Sequence, residues 1–544
     1  MTAALATRIA MSRRGQRILP QYSSMEHQSW WPWMRLGLFV TLVLMSAYAG
    51  LLLTVGGARA VSLVAVPIMV VSGLVLWMLP DVNREFRLPY FGLLLVYCAG
   101  SAMWPNYLAI VLPGLPWVTP PRLILALMLV IMTVHLSQHA ASRQAIGDII
   151  LHDKIAARLY LMFWLVAIAV LPLAPSFAAS LNYTIMQELF VFAPVLLVAL
   201  LLHKKIENLR PILLAVVVGC IFTMLVAILE NFMQQPPWIN FIPSFINIDA
   251  ESLQTYLSPQ ARAGQRSYRV RATFGIVLYY TEYLAIVFPV LFHFMLKFHG
   301  RKRFLFVPLL ILMFAVVWYA NARTAVIGLF LTLFGTATLA IIKQVFFKTG
   351  GDRLKALISV TFIAMAVLAS IGAVASSHRL QMYTIGGSQH AGSNDGRDLQ
   401  WANTWRHLSK NPVGVGLGNS MRYVGVEFRA GVPIVDSFYI NLLVDVGVLG
   451  FFGFMGCIAR ISWLGIQTHL RSGDELEDMA GPLALGLLAF MIISYVVSTT
   501  DNNYIVFIFA TCILALHRRQ EQRLALQPAV HTSLPSSSTQ LAKI

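Results

Sequence analysis

Residues 397–418 read RDLQWANTWRHLSKNPVGVGLG, and they form the centre of a polar interval from Ser376 to Asp436. Apolar stretches of membrane length precede and follow this interval in a chain that is otherwise mostly hydrocarbon. The bases of the interval are arginines with one exception: Arg379, Arg397, Arg406, Lys410, Arg422 and Arg429. This pattern predicts a large loop between membrane helices, with a surface suited to anions.

The composition is that of a helical membrane protein. The 544-residue chain is 58% hydrophobic and 12% charged, with a mean hydropathy of +0.71, which lies outside the range of soluble domains. We predict an all-α polytopic membrane protein of roughly 14 transmembrane helices, with one large extracytoplasmic loop that contains short interfacial helices. The net charge of +17 is attributed to basic cytoplasmic loops that face anionic lipid, and not to nucleic acid.

The predicted spans are set by apolar stretches between polar turns. They lie at residues 36–55, 60–80, 88–104, 122–138, 159–180, 186–202, 211–230, 273–296, 304–320, 324–342, 356–375, 437–458, 482–499 and 503–516. The four cysteines, Cys98, Cys220, Cys457 and Cys512, all fall inside apolar runs, without disulfide or metal-ligand spacing.

The short loops set the orientation and the division of the chain. Lysine and arginine alternate between rich and poor loops, which predicts cytoplasmic termini and an extracytoplasmic polar interval. Residues 1–35 are predicted to be a basic cytoplasmic tail and residues 36–230 the N-terminal transmembrane helices. Residues 231–520 are predicted to be a second membrane region with outer loops 231–272 and 376–435, and residues 521–544 a disordered cytoplasmic tail.

The outer loops break the charge rule, because they are rich in arginine. One interpretation is that long loops cross the membrane regardless of charge. The other is that the planar forks of arginine bind phosphate or carboxylate, and the scarcity of lysine favours it. Arg323 stands at a predicted membrane edge, where a lone charge is costly.

A helix is predicted within the polar interval, from Asn394 or Asp395 to about Lys410. Its indoles would lie in the membrane interface and its arginines at headgroup depth, although an ordinary surface helix fits the same pattern. The glycines at 414, 416 and 418 could bring backbone N–H groups to a phosphate or form a plain turn.

Three acids are candidates for chemistry. Glu282 falls inside a span, Asp436 stands where the polar interval re-enters the membrane, and Asp445 lies deeper in that helix as either a structural partner or part of the site. The acidic run at residues 474–478 is predicted to be solvated. No Asp-x-Asp pair occurs in the outer loops, so we predict no metal at the site and no cofactor.

Several motifs occur together in an order typical of one family. They are Arg271-Ala-Thr-Phe-Gly, Asn321-Ala-Arg323-Thr, Trp405 through Gly418, and Asp436-Ser437 followed by Gly447-Val-Leu-Gly450. This set resembles the bacterial O-antigen ligase and polymerase superfamily, over roughly Leu209 to Phe454.

The resemblance implies an inverting, metal-independent glycosyl transfer on the outer face of the bacterial inner membrane. The implied partners are an undecaprenyl-pyrophosphate-linked glycan donor, a glycan acceptor and the bilayer, with a chain-length regulator and a flippase as candidates. The residues expected to bind the donor pyrophosphate are Arg271, Arg323, Arg397 and Arg406. Asp436 or Glu282 is expected to be the base, and His407, Trp405 and Gly416 form a candidate acceptor or loop site.

One position departs from the pattern of the ligases. They carry a histidine, proposed as the base, at the re-entry position where this chain has Asp436. The departure favours a polymerase of surface polysaccharide or exopolysaccharide repeat units. The alternatives are a ligase that transfers glycan to lipid A core or protein, and a flippase or exporter of lipid-linked oligosaccharides.

Overall fold

The computed structural model describes residues 90–110, 118–184, 190–243, 246, 268–347, 376, 391–427, 433–498 and 501–526. The predicted spans 36–55, 60–80 and 356–375 and the predicted N-terminal tail lie outside these residues. Contacts divide the chain into one unit of Met1–Leu88 and Val130–Arg143 and a second of Pro89–Leu129 and Gln144–Ile544. In the described part of the first unit, a hydrogen bond of 2.9 Å joins His135 Nε2 to Ser142 Oγ.

The described residues are almost wholly helical. The helices before the polar interval are α1 (Tyr90–Met103), α2 (Pro120–Gln138), α3 (Ala140–Ile150), α4 (Lys154–Val170), α5 (Phe177–Thr184), α6 (Phe190–Lys204), α7 (Leu209–Met233), α8 (Val277–Leu296), α9 (Phe306–Ala320), α10 (Arg323–Phe330) and α11 (Thr336–Phe347). A π-helical turn at Leu331–Gly335 joins α10 to α11.

The polar interval and the region after it hold the remaining elements. They are α12 (Ala391–Leu408), α13 (Ser420–Val424), β1 (Val426–Glu427), β2 (Pro433–Ile434), α14 (Phe438–Leu470), α15 (Glu475–Asp478), α16 (Ala480–Ile493) and α17 (Asn503–Leu526). The two short strands pair antiparallel, with Val426 opposite Ile434.

The membrane class is confirmed. Among the described residues, 8 helices are long and apolar enough to cross a membrane, and two shorter apolar helices accompany them. The protein is therefore an all-α polytopic membrane protein. The total of fourteen spans stays a prediction, since three of the predicted spans lie outside the described residues. The four cysteines are buried and unpaired, as their apolar surroundings predict.

The largest differences between predicted and observed boundaries are at the ends of three spans. The span predicted at 159–180 ends at Val170, because Pro172 and Pro175 break the helix before α5 begins. The span predicted at 437–458 continues to Leu470. The predicted span ends just before Arg460, but Asp153 lies 2.7 Å from Arg460 and neutralises its charge, so the helix continues. The last helix continues to Leu526, six residues into the tail predicted at 521–544.

The helix termini of the second unit gather at two ends. The arginine end comprises residues 104–110, 171–184, 234–243, 268–276, 320–324, 409–427, 433–437, 494–498 and 501–502, which are joined by contacts such as Ser180 Oγ donating to Leu417 O at 2.7 Å. The ion-pair end comprises residues 144–154, 203–210, 296–306, 470–480 and 517–526. The orientation predicted from loop charge would make the arginine end extracytoplasmic and the ion-pair end cytoplasmic.

The acidic run at the ion-pair end is not a solvated loop, so that prediction was wrong. Asp478 lies 2.7 Å from Lys343 and 3.6 Å from Lys297. Glu477 is fully buried and lies 2.8 Å from Arg523. Bases from several helices converge on this run, a pattern that local sequence does not reveal.

Candidate functional site

The polar helix α12 holds the re-entry segment by its backbone. Gln400 is fully buried; its amide N–H donates to Ile434 O at 2.9 Å and its Oε1 accepts the Asp436 N–H at 3.1 Å. Trp401 packs on an apolar cluster beneath the helix: Val415, Val424, Val435, Ile440 and Val444. This packing fixes Asp436 relative to α12.

Asp436 shares its surroundings with two of the predicted arginines. Its side chain is half-buried, and no base among the described residues lies within ion-pair distance of its carboxylate. Burial raises the pKa of Asp436, and the charge of Arg397 opposes that rise. Arg397 is also close enough to Arg323 for their like charges to interact. Arg323, Arg397 and Asp436 thus form one electrostatic group, which we call the arginine–aspartate group.

Asp445 anchors the glycine loop. Its carboxylate accepts backbone N–H groups from Gly418 at 2.8 Å, Asn419 at 3.1 Å and Ser420 at 2.7 Å. The Gly416 N–H donates to Asp445 O at 2.9 Å. Of the two roles open to Asp445, the contacts are those of the structural partner, and these glycine-loop N–H groups bond within the protein.

The glycine loop fits into a break of α14. Gly447 has a φ of 66° inside that helix, and a Cβ on it would strike the carbonyl oxygen of Pro412. Gly414 has a φ of 107°, and a Cβ there would stand 2.6 Å from Asp445 O. Only glycine permits both the backbone angles and the close approach. The spaced glycines therefore serve the contact between loop and helix.

Arg271 lies in a buried network around Glu230, at the end of α7. Arg271 is 1% exposed, and its Nε lies 4.0 Å from Glu230 Oε1. Glu230 Oε2 accepts the N–H of Arg271 at 3.0 Å and of Ala272 at 2.7 Å, while the Tyr268 hydroxyl donates to Oε1 at 2.7 Å. Ala272 has a φ of 50°, a left-handed conformation that costs about 1–2 kcal/mol, and Glu230 holds that turn in place.

Glu282 is buried in α8 and contacts an amide, not an arginine, among the described residues. Its Oε2 accepts an N–H from Asn502 at 2.7 Å, and the same amide group donates to Tyr279 O at 3.0 Å. The neighbouring Thr281 hydroxyl lies 2.6 Å from that of Thr324, directly after Arg323. Helices α8 and α10 are thereby joined beside two candidate residues.

Aromatic side chains line the outer part of α12. Trp405 is 60% exposed, and its ring centroid lies 6.0 Å from that of Trp401, which in turn lies 5.4 Å from the ring of Tyr495. His407 faces another direction: its ring packs 4.9 Å from Tyr423, and burial lowers its pKa.

The structure brings together some of the predicted residues and separates others. The arginine–aspartate group gathers three of them, whereas Arg406 is exposed on α12 and Arg271 is enclosed by Glu230. Sequence reasoning missed Gln400 and Glu230. Glu230 carried a signal, because it is an ionisable residue at the edge of a predicted span; Gln400 carried none.

Comparison with known proteins gives one family. Residues 273–455 match the family model described as O-antigen ligase, and no curated protein matches the chain. The match begins later than the resemblance at Leu209, so it includes the arginine–aspartate group and Glu282 but excludes Arg271 and Glu230. The family indicates glycosyl transfer of the ligase or polymerase type, with lipid-linked glycans as substrates in a bilayer. The chain therefore carries a domain of the O-antigen ligase/polymerase superfamily over residues 273–455, which confirms the resemblance of its motifs.

Proposed function

We propose that this protein polymerises surface polysaccharide or exopolysaccharide repeat units on the outer face of the bacterial inner membrane. It transfers a glycan from undecaprenyl pyrophosphate to a sugar hydroxyl of the acceptor, with inversion and without a metal. The observation that carries the proposal is the arginine–aspartate group, in which two cations and one carboxylate share the arginine end within the matched family domain.

Arg323 and Arg397 are assigned to binding the diphosphate of the donor. Arg323 and Arg397 place like charges near one another, an arrangement that a dianionic diphosphate relieves. Charge-assisted hydrogen bonds contribute about 1.5–3 kcal/mol each, and they strengthen as negative charge builds up on the leaving oxygen. Exposed Arg406 is assigned to the lipid headgroup region, and Arg271 to charge compensation of Glu230.

Asp436 is assigned as the base. The ionised carboxylate takes the proton of the acceptor hydroxyl as that oxygen bonds to the anomeric carbon. The bond from the anomeric carbon to the diphosphate oxygen breaks on the opposite face, and undecaprenyl pyrophosphate leaves with the bonding electrons. Partial burial of Asp436 supports this role, since a poorly solvated carboxylate is a stronger base. Glu282 is the alternative base.

Exposed Trp405, partly buried His407 and the loop beside α12 are assigned to the acceptor in this proposal. Trp405 can stack on a sugar ring, His407 can donate or accept a hydrogen bond, and Gly416 shapes the adjoining loop. Residues 231–520 then form the catalytic membrane region. A flippase would deliver the lipid-linked donor before chain growth, and a chain-length regulator would act on chain growth itself.

The orientation can be tested with one introduced thiol. The arginine end is proposed to be extracytoplasmic and both chain termini cytoplasmic. Because the four native cysteines are buried, Gly392→Cys should be the site that reacts with a membrane-impermeant thiol reagent in intact spheroplasts. Labelling only after lysis would invert the orientation and remove the proposed function.

The activity itself is tested with purified protein in proteoliposomes and a lipid-pyrophosphate oligosaccharide. A polymerase yields a ladder of longer lipid-linked chains. Transfer only to added lipid A core or protein would instead establish the ligase. Movement of the donor across the bilayer without a new glycosidic bond would establish the flippase.

A further inference from the structure

Three potential metal ligands meet at the ion-pair end, away from the arginine–aspartate group. His152 follows α3, and His517 and Glu521 lie one turn apart on α17. One ligand atom from each lies within 4.8 Å of the others. His152 Nε2 is 2.9 Å from Glu521 Oε2, and His517 Nε2 is 3.5 Å from Glu521 Oε1. We call these residues the histidine–glutamate cluster.

A buried hydroxyl orients one of the imidazoles. Thr468, on α14, is fully buried, and its Oγ1 lies 3.1 Å from His517 Nδ1. This contact engages Nδ1 and leaves Nε2 turned toward Glu521. Metal-binding histidines characteristically make such a hydrogen bond through the second ring nitrogen, which fixes the tautomer and the ring orientation.

The charges around the cluster favour a cation. The neighbouring acids are paired with guanidinium groups: Asp153 with Arg460 at 2.7 Å and Asp148 with Arg518 at 3.0 Å. The ion-pair contacts of Glu521 among the described residues are instead made by two imidazoles, which carry charge only when protonated. One carboxylate and two imidazoles facing one another are a ligand set that suits a divalent metal.

We propose that the histidine–glutamate cluster binds a divalent transition metal, with Zn²⁺ the best fit. Two imidazole nitrogens and one carboxylate are ligands that zinc accepts, and solvent water completes the tetrahedron at the partly exposed face of Glu521. The bound ion ties the turn between α3 and α4 to the end of α17. The spacing of His517 and Glu521 alone does not indicate this site, because the third ligand, His152, is far away in the chain.

The test uses full-length protein in detergent, with any affinity tag removed and metals stripped by a chelator. Titration calorimetry with Zn²⁺ and elemental analysis should give one bound ion per chain. His517→Ala and Glu521→Gln should each weaken binding by more than about 10-fold, and Thr468→Val by about 10–100-fold. His203→Ala is the matched control, because His203 contacts Asp148 at the same end but lies outside the cluster, and it should bind zinc like the wild type.

Two results would overturn the proposal: no zinc bound at micromolar concentration, or equal binding by wild type and cluster variants. Either result would leave the cluster as an ion pair between Glu521 and protonated histidine. If His517→Ala does not fold, X-ray absorption of zinc-loaded wild type decides, since the proposal requires two nitrogen donors and oxygen donors. Glycosyl transfer enters neither measurement, so the proposed function can fail without affecting this one.

Discussion

The two ends of the second unit differ in how their charged side chains are arranged. At the ion-pair end, acids meet bases from neighbouring helices, as Asp478 meets Lys343 and Asp153 meets Arg460. At the arginine end, Arg323 and Arg397 carry like charges that are close enough to interact, and the charge of Arg397 also acts on the half-buried carboxylate of Asp436. A locally balanced set of charges stabilises the fold, whereas an excess of one sign requires a ligand of the other. This difference supports the proposal that the arginine–aspartate group binds an anion, whereas the charges of the ion-pair end stabilise the fold.

The largest expected effect is on turnover at Asp436. Asp436→Asn keeps the size of the side chain but cannot accept the proton, so we expect a loss of about 10²–10⁴-fold in the rate of transfer. The measurement is chain growth in proteoliposomes. Binding of the donor should change little, because the diphosphate is assigned to the arginines.

Glu282→Gln is the matched control for the base, because Glu282 is buried and contacts Asn502. A structural role predicts reduced thermal stability with turnover near wild type in the folded fraction. If Asp436→Asn turns over normally while folded Glu282→Gln is inactive, the base is Glu282.

The next prediction compares the stability lost on breaking a buried charge pair with that lost on breaking an exposed one. Glu230→Ala leaves Arg271 buried without its carboxylate and frees two backbone N–H groups, so we expect a loss of about 3–5 kcal/mol of stability. Arg210→Ala, which removes an exposed pair with Glu475, should cost about 0–1 kcal/mol. Unfolding in detergent measures both. Equal small losses would mean that Glu230 does not hold the Arg271 turn.

The smallest effect is a shift of the pH profile. Burial raises the pKa of Asp436 and Arg397 lowers it, so removing Arg397 should raise that pKa further. A base must be ionised, so transfer falls as the pH drops through its pKa. The acidic limb of kcat/KM should therefore move to higher pH in Arg397→Ala and stay near wild type in Arg397→Lys, which keeps the charge. An unmoved limb in Arg397→Ala would exclude Asp436 as the titrating base.

Much of the fold could be predicted from sequence, because hydropathy and loop charge act over short distances. The predicted span at 304–320 and the observed helix Phe306–Ala320 differ by two residues. Errors arose where a residue distant in sequence neutralised a charge that the local sequence leaves unpaired. The ion pair between Asp153 and Arg460, for example, allows α14 to continue past Arg460.

The same reasoning explains what the sequence revealed of the site. Asp436 and the arginines could be nominated, because charge at a membrane edge is costly and visible in sequence. Gln400 could not be nominated, because its side-chain amide acquires its hydrogen-bond partners only when α12 packs on residues 434–436. The separation of Arg271 from the arginine–aspartate group depends likewise on Glu230, which lies on another helix.

Binding of a polyprenyl diphosphate to purified protein tests the contrast between the two ends most directly. Equilibrium binding should favour the diphosphate over the monophosphate, and Arg323→Ala and Arg397→Ala should each weaken it by about 10–100-fold, from the loss of about 1.5–3 kcal/mol of charge-assisted contact. Arg→Lys at either position should recover part of the loss, because lysine lacks the planar fork. Arg210→Ala at the ion-pair end should bind like the wild type. Undiminished diphosphate binding by both arginine-end variants would contradict the account.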